Sequence, residues 1–254
     1  DQNAFAIALG LWSLAGCFGM DLKIPALYQQ RIAQLLSSGE RRILGLVGAP
    51  GAGKSTLAHA LAVQWPQDIQ VVPMDGFHLA NIELKRLNRQ DRKGAPDTFD
   101  AFGFIALLKR LRTQASDEVV YAPSYERTLE EGVAGAIAVQ SRTPLIVVEG
   151  NYLLLSDSPW NQVQALLDET WFVDVPQDLR VGRLTQRHQQ FGRSAQDAAA
   201  AKLRRGHVAD EWQDHPRARR APRADRPRSR GGCARRAPCH GSRGRARSSS
   251  GGAT

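Results

Sequence analysis

The 254-residue chain reads as a three-layer α/β protein, a parallel sheet with helices on both faces. Three observations predict this. Short apolar runs alternate along the body with segments of helical spacing. One of the runs, "PLIVVEG", is apolar without interruption, as a strand covered on both faces is. And a glycine-rich stretch, "GAPGAGKST", joins a strand to a helix.

Taken in order, "IPALYQQRIAQLLSSG" carries apolar residues at helical spacing and stops at Gly39. "RRILGLVG" is a short strand, "KSTLAHALAVQW" a helix and "IQVVPM" a second strand. "DAFGFIALLKRLRTQ" is a helix with Asp100 as its N-cap, because a short carboxylate there accepts from the free N–H groups of the first turn. "PLIVVEG" is the next strand, "WNQVQALLDE" a helix, "TWFVDVP" a strand and "QDLRVGRLTQRHQQ" a basic helix. No internal repeat is present.

The formal net charge of +9 is unevenly spread. Residues 216–254 hold twelve Arg against Asp225 alone, a net +11, which leaves the first 215 residues at −2. Basicity is therefore no argument that the body binds nucleic acid. After Trp212 there is no Lys, Leu, Ile, Val, Met, Phe, Tyr or Trp, so residues 211–254 cannot bury a core and read as a disordered tail. Three accounts of the tail stand: a shifted reading frame, an inert solvated segment, or a phosphate-contacting arm. The first 19 residues are apolar, with "LAGC" before Met20 but no basic residue ahead of the apolar run. They read as extra to the fold, with a domain at residues 20–210, so trimming to that range is expected to cost no stability. Cys17, Cys233 and Cys239 form neither a disulfide framework nor a zinc spacing, which suits a cytoplasmic protein.

The stretch Gly48-Ala49-Pro50-Gly51-Ala52-Gly53-Lys54-Ser55-Thr56 satisfies G-x-x-x-x-G-K-[ST] in its strand-to-helix context. Its glycines let backbone N–H groups converge on nucleotide phosphates. Lys54 is placed to reach the outer phosphates, and the Ser55 hydroxyl to ligate Mg²⁺. Glu149, ending "LIVVEG", stands either where it holds the ion or its water, or at a solvated strand end. No N-K-x-D guanine-reading motif is present.

Asp75 ends the next strand, in "VVPMDGFHLAN". Ligands collect at the carboxyl ends of parallel strands, so Asp75 faces the terminal phosphate, where a carboxylate can take the proton of an attacking hydroxyl. Capping of the next turn is the alternative. His78 is a candidate hydrogen-bonding group for substrate or a partly buried structural histidine.

Taken together, "GAPGAGKST", "MDGFH", "RKGAPDTFD", "YAPSYER" and "VEGNYLLL" resemble the uridine kinase, phosphoribulokinase and pantothenate kinase superfamily, in particular its bacterial nucleoside/nucleotide kinase-like and fructose-transport-system kinase-like branch, over about residues 20–198. The resemblance implies a P-loop fold with a five-stranded parallel core, ATP with Mg²⁺ as donor, and a small hydroxylated metabolite as acceptor; separately, no membrane partner is expected, since the apolar run at the N-terminus is too short to span a bilayer. The resemblance assigns the base to Asp75 and the metal-side acid to Glu149. It places Arg92, Lys93, Tyr121, Tyr125 and Arg127 at the acceptor pocket, and Arg180, Arg183, Arg187 and Arg193 on a lid closing over the phosphates. Family members continue after the "GRS" turn with a closing strand; no such apolar strand is present here, in keeping with a shifted frame. A metabolite kinase is the leading reading. An impaired nucleotide-binding protein and a nucleic-acid-associated ATPase are the alternatives, and the acceptor and the oligomeric state, a dimer included, stay open.

Overall fold

A computed structural model describes residues 4–8, 23–180 and 182–183. Its centre is a five-stranded, all-parallel sheet. In chain order the strands are β1 (Ala4–Ala8), β2 (Arg42–Val47), β3 (Ile69–Pro73), β6 (Leu145–Gly150) and β7 (Glu169–Asp174). The spatial order is β1-β7-β2-β6-β3. A separate antiparallel hairpin is made by β4 (Val119–Glu126) and β5 (Glu131–Gln140). The longer helices are α1 (Ala26–Leu36), α2 (Lys54–Gln64) and α4 (Ala101–Arg112), with a short α3 (Asn81–Arg86).

Side-chain alternation explains why the central strands are apolar throughout. Ile43 and Val47 of β2 and Ile146 and Val148 of β6 point into one core, with α4, the hairpin and Trp160. Leu44 and Leu46, with Leu145 and Val147, point into the other, against α1 and α2. Helix α1 buries Tyr28, Ile32 and Leu35, one stripe at i, i+4 and i+7. It is also tied by charge: Arg31 donates through Nη2 and Nε to Oε2 of the buried Glu169 at 2.7 and 2.8 Å, and the Trp171 indole N–H donates to Oε1 of the same carboxylate at 2.6 Å. Asp100 caps α4 as expected, accepting from the Gly103 N–H at 2.8 Å.

Two expectations need correction. "WNQVQALLDE" forms two short 3-10 turns, Trp160–Gln162 and Gln164–Leu166, rather than a helix. Trp160 and Val163 are its buried anchors, and two apolar anchors three residues apart need only a turn to seat them. Residues 1–19 do not all stand apart from the fold either. Ala4–Ala8 pairs in parallel with Thr170–Asp174 at the outer edge of the sheet. The physical reason is the ladder: without β1, the free side of β7 would present unpaired N–H and C=O groups. The arginine-rich tail lies outside the described residues. Among those residues, no helix is long and apolar enough to cross a membrane.

Because β1 completes the edge, a chain beginning at Met20 is expected to melt below the full chain, by roughly 2–4 °C for each kcal/mol lost. Calorimetry on the two chains checks this; equal melting temperatures would show that the β1–β7 ladder contributes nothing.

Candidate active site

Register builds the site. Along the sheet, Glu149 is level with Leu46 of β2 and Pro73 of β3. The three strands therefore end together at their carboxyl edge. Their outgoing segments meet there: the glycine-rich loop from β2, the Asp75 turn from β3, and Gly150–Asn151 from β6.

Within the loop, Gly51 and Gly53 adopt φ of 82° and 96°, the left-handed region that glycine enters without cost. Gly48 approaches the Val173 carbonyl of β7 so closely that a Cβ there would collide with it. The chain then enters α2 directly at Lys54, which is only 7 % exposed. Its ammonium donates to the Gly48 carbonyl at 2.9 Å, the Ala49 carbonyl at 3.2 Å and Asn151 Oδ1 at 2.8 Å. Next to it, the Ser55 hydroxyl donates to Glu149 Oε1 at 2.9 Å.

Burial pushes the Glu149 carboxyl above its ordinary value, and the Asp75 charge pushes it further. Lys54, the Ser55 hydrogen bond and Arg127 pull the other way. Glu149 thus feels Asp75, Lys54, Ser55 and Arg127, residues drawn from three separate parts of the chain. Glu149 is not a solvated strand end.

Asp75 lies in a 3-10 turn, Met74–Phe77, just past β3 rather than on it. His78 folds back over this turn: its Nδ1 is 2.7 Å from the Asp75 carbonyl. A carbonyl can only accept, so Nδ1 is the donor in this contact. The imidazole is packed between Phe99 and Tyr125, with ring centroids 4.0 and 4.8 Å away. The hairpin rests on the same turn through bare backbone. A Cβ on Gly76 would strike the Pro123 carbonyl, and one on Gly132 would strike the Gly76 carbonyl.

The remaining candidates divide. Tyr125 joins His78, and Lys93 lies 5.6 Å over the Tyr125 ring while donating to Asn81 Oδ1 at 2.6 Å and to the Glu130 carbonyl. Arg127 stands on the exposed hairpin turn. Arg92 is turned away, paired with Asp97 at 2.8 Å. Tyr121 is 59 % exposed and does not join the cluster; its neighbours Val120 and Ala122 are buried, so alternation turns it outward. Arg180 is 4 % exposed, and its Nε is the one buried side-chain nitrogen or oxygen among the described residues with no hydrogen-bond partner. Arg183 is half-buried, while Arg187 and Arg193 lie outside the described residues.

The sequence by itself does not single out Asn151, Phe99 or Asn81. Nothing in "VEGNYLLL" marks Asn151 until β6 is laid beside β2, and Phe99 reads as an ordinary core residue until it is found under His78.

A glycine-rich loop, a buried lysine, a hydroxyl on a carboxylate and a second carboxylate beside it, on this sheet, define a P-loop nucleotide-binding protein. The chain belongs to the Phosphoribulokinase / Uridine kinase family, which matches it over residues 43–214. It is 35 % identical over 179 residues to "Putative uridine kinase C227.14" of Schizosaccharomyces pombe, covering 67 % of this chain and 76 % of that one. It is 35 % identical over 181 residues to YggC of Escherichia coli, covering 69 % and 74 %. Its fold matches the crystal structure of a "putative fructose transport system kinase" from Silicibacter sp. TM1040 with a TM-score of 0.67 at 34 % identity, over 75 % of this chain and 95 % of that one. Phosphotransferase activity is thus a property of the family to which the chain belongs.

The raised Glu149 pKa has a stability consequence. In the unfolded chain Glu149 ionises near its ordinary value of 4.5; in the fold it ionises at a higher pH. Its contribution is thus fully present below that unfolded value and is lost as pH rises through the folded one. Glu149→Gln keeps an oxygen for Ser55 and removes the buried charge. Without added Mg²⁺, the variant is expected to melt above the wild type at pH 7–8, and the gap is expected to close towards pH 4. A pH series of melting curves checks this; a variant that melts lower at pH 8 would contradict it.

Proposed function

We propose that the protein transfers the γ-phosphate of MgATP to a hydroxyl of a small metabolite, as a cytoplasmic enzyme whose kinase domain runs to about residue 210 and takes in the β1 strand. The observation that carries the reading is the meeting of Lys54, Ser55, Glu149 and Asp75 at the carboxyl edge of the sheet.

The residues fit a magnesium ion. Among the described residues no group of three or more His, Cys, Asp or Glu forms a cage, so the protein would supply only Ser55 and Glu149, and the phosphates would supply the rest. A carboxylate raised by burial and then by a second carboxylate is a donor that a divalent cation would relieve. Bound there, the ion would neutralise charge developing on the phosphates.

The loop N–H groups from Gly48 to Thr56 cradle the phosphates, and Lys54 binds the outer ones. Asp75 accepts the proton of the acceptor hydroxyl as its oxygen attacks phosphorus. The His78 ring steadies the Asp75 turn from behind. Tyr125, in contact with His78, forms the acceptor side with Lys93 over its ring and with Arg127 of the same hairpin. Arg180 and Arg183 begin the lid helix; the orphaned Nε of Arg180 is a donor suited to an anion. Arg92 and Tyr121 take no part in this reading.

The names of the relatives put nucleosides and sugars on the acceptor panel, and the superfamily adds sugar phosphates and pantothenate-type acids. ADP release across such a panel is expected to single out one class. With that acceptor, Asp75→Asn is expected to lower turnover about 10²- to 10⁴-fold while MgATP affinity changes little. Lys54→Ala is expected to abolish transfer and weaken MgATP binding. Near-normal turnover in Asp75→Asn would remove the base assignment, and in Lys54→Ala the kinase reading.

A further inference from the structure

The hydrogen bond between Lys54 and Asn151 raises a question of competition. The ammonium donates to two loop carbonyls and to Asn151 Oδ1, and the Glu149 carboxyl acts on it by charge. All three acceptors are neutral. A terminal phosphate oxygen is charged, and it outcompetes a neutral acceptor for an ammonium donor.

The three are not equally replaceable. The Gly48 and Ala49 carbonyls belong to the loop that wraps the phosphates, and freeing them means refolding it. Asn151 is held to Lys54 through a side chain, and that residue is only half-buried, so a rotamer change suffices. Its neighbours join the two halves of the site. Glu149, two residues before, binds Ser55. Tyr152, one residue after, donates to the Gly94 carbonyl and packs edge-on against Phe99, on which His78 stacks.

We infer that Asn151 is a positioning residue that competes with the terminal phosphate for Lys54: it holds the ammonium at the mouth of the loop, and a triphosphate displaces it. The displaced amide is then free at the junction with the acceptor side. The inference rests on the kinase reading and adds to it an internal competitor that a diphosphate challenges less than a triphosphate does.

The test is calorimetric titration of the full chain with a non-hydrolysable ATP analogue and with ADP, each with Mg²⁺, for the wild type, Asn151→Ala and Asn151→Asp. Removing the competitor in Asn151→Ala is expected to tighten the triphosphate analogue roughly 2- to 10-fold, the worth of one hydrogen bond to a neutral acceptor, with a smaller change for ADP. The isosteric Asn151→Asp turns a neutral competitor into a charged one and is expected to weaken the analogue by about tenfold or more. A purely structural role predicts weaker binding of both nucleotides in Asn151→Ala. Binding in Asn151→Ala that equals or falls below wild type overturns the inference and leaves the kinase reading intact. If Asn151→Ala melts far below wild type, Asn151→Asp decides, and undiminished binding there overturns it. Failure of the wild type to bind either nucleotide overturns both.

Discussion

The register between β2 and β6 is the constraint on which the site depends. Leu46 lies opposite Glu149, and on the other side of β6 Pro73 lies opposite the same residue. One level of the sheet thus carries the start of the phosphate loop, the carboxylate at the end of β6 and the turn that holds Asp75. A slip of one residue in β6 would turn Glu149 to the opposite face and bring Val148 to the loop. The two cores oppose such a slip, since Ile146 and Val148 would exchange faces with Leu145 and Val147. Hydrophobic burial, which is indifferent to chemistry, thereby places charged groups accurately.

Two buried glutamates show what that placement costs. Glu169 opens β7 and is matched by an arginine and an indole N–H. Glu149 closes β6 with one hydroxyl on its Oε1, a lysine shared among neutral oxygens, and a second carboxylate acting against it. The first pins α1 to the sheet. The second sits in an environment that disfavours its charge, which is where folds concentrate functional groups. Neither residue type nor the burial of each separates them; the partners do.

The half of the site proposed for the acceptor is built on another principle. The hairpin carries Tyr125, Arg127 and the Glu130 carbonyl, and it is seated by the close approaches Gly76–Pro123 and Gly132–Gly76. These are contacts of backbone on backbone, so a single methyl at either glycine would lift the hairpin off the Asp75 turn. Lys93 then fastens the tip of the hairpin to Asn81. The aromatic stack of Tyr152, Phe99, His78 and Tyr125 runs from the β6 turn to the hairpin, so the two halves share a wall of rings.

Much of this was legible in the chain itself. Periodicity located α1, α2, α4 and the strands β2, β3, β6 and β7, because a buried stripe or a two-faced strand leaves its spacing in the residues. The loop from Gly48 to Thr56 was legible because it needs glycine where φ is positive and lysine at a fixed step, requirements that local sequence must meet by itself. Asp75 and Glu149 could be named from the rule that parallel strands deliver ligands at their carboxyl ends. The β1 strand, the outward turn of Tyr121, the pairing of Arg92 with Asp97 and the hold of Asn151 on Lys54 could not. Each depends on which segment lies beside which: Ala4 meets Thr170, and Lys54 meets Asn151 across 97 residues of chain. A sequence records the preferences of each segment, but neighbours so distant are chosen by the packing of the whole, and only the tertiary structure decided them.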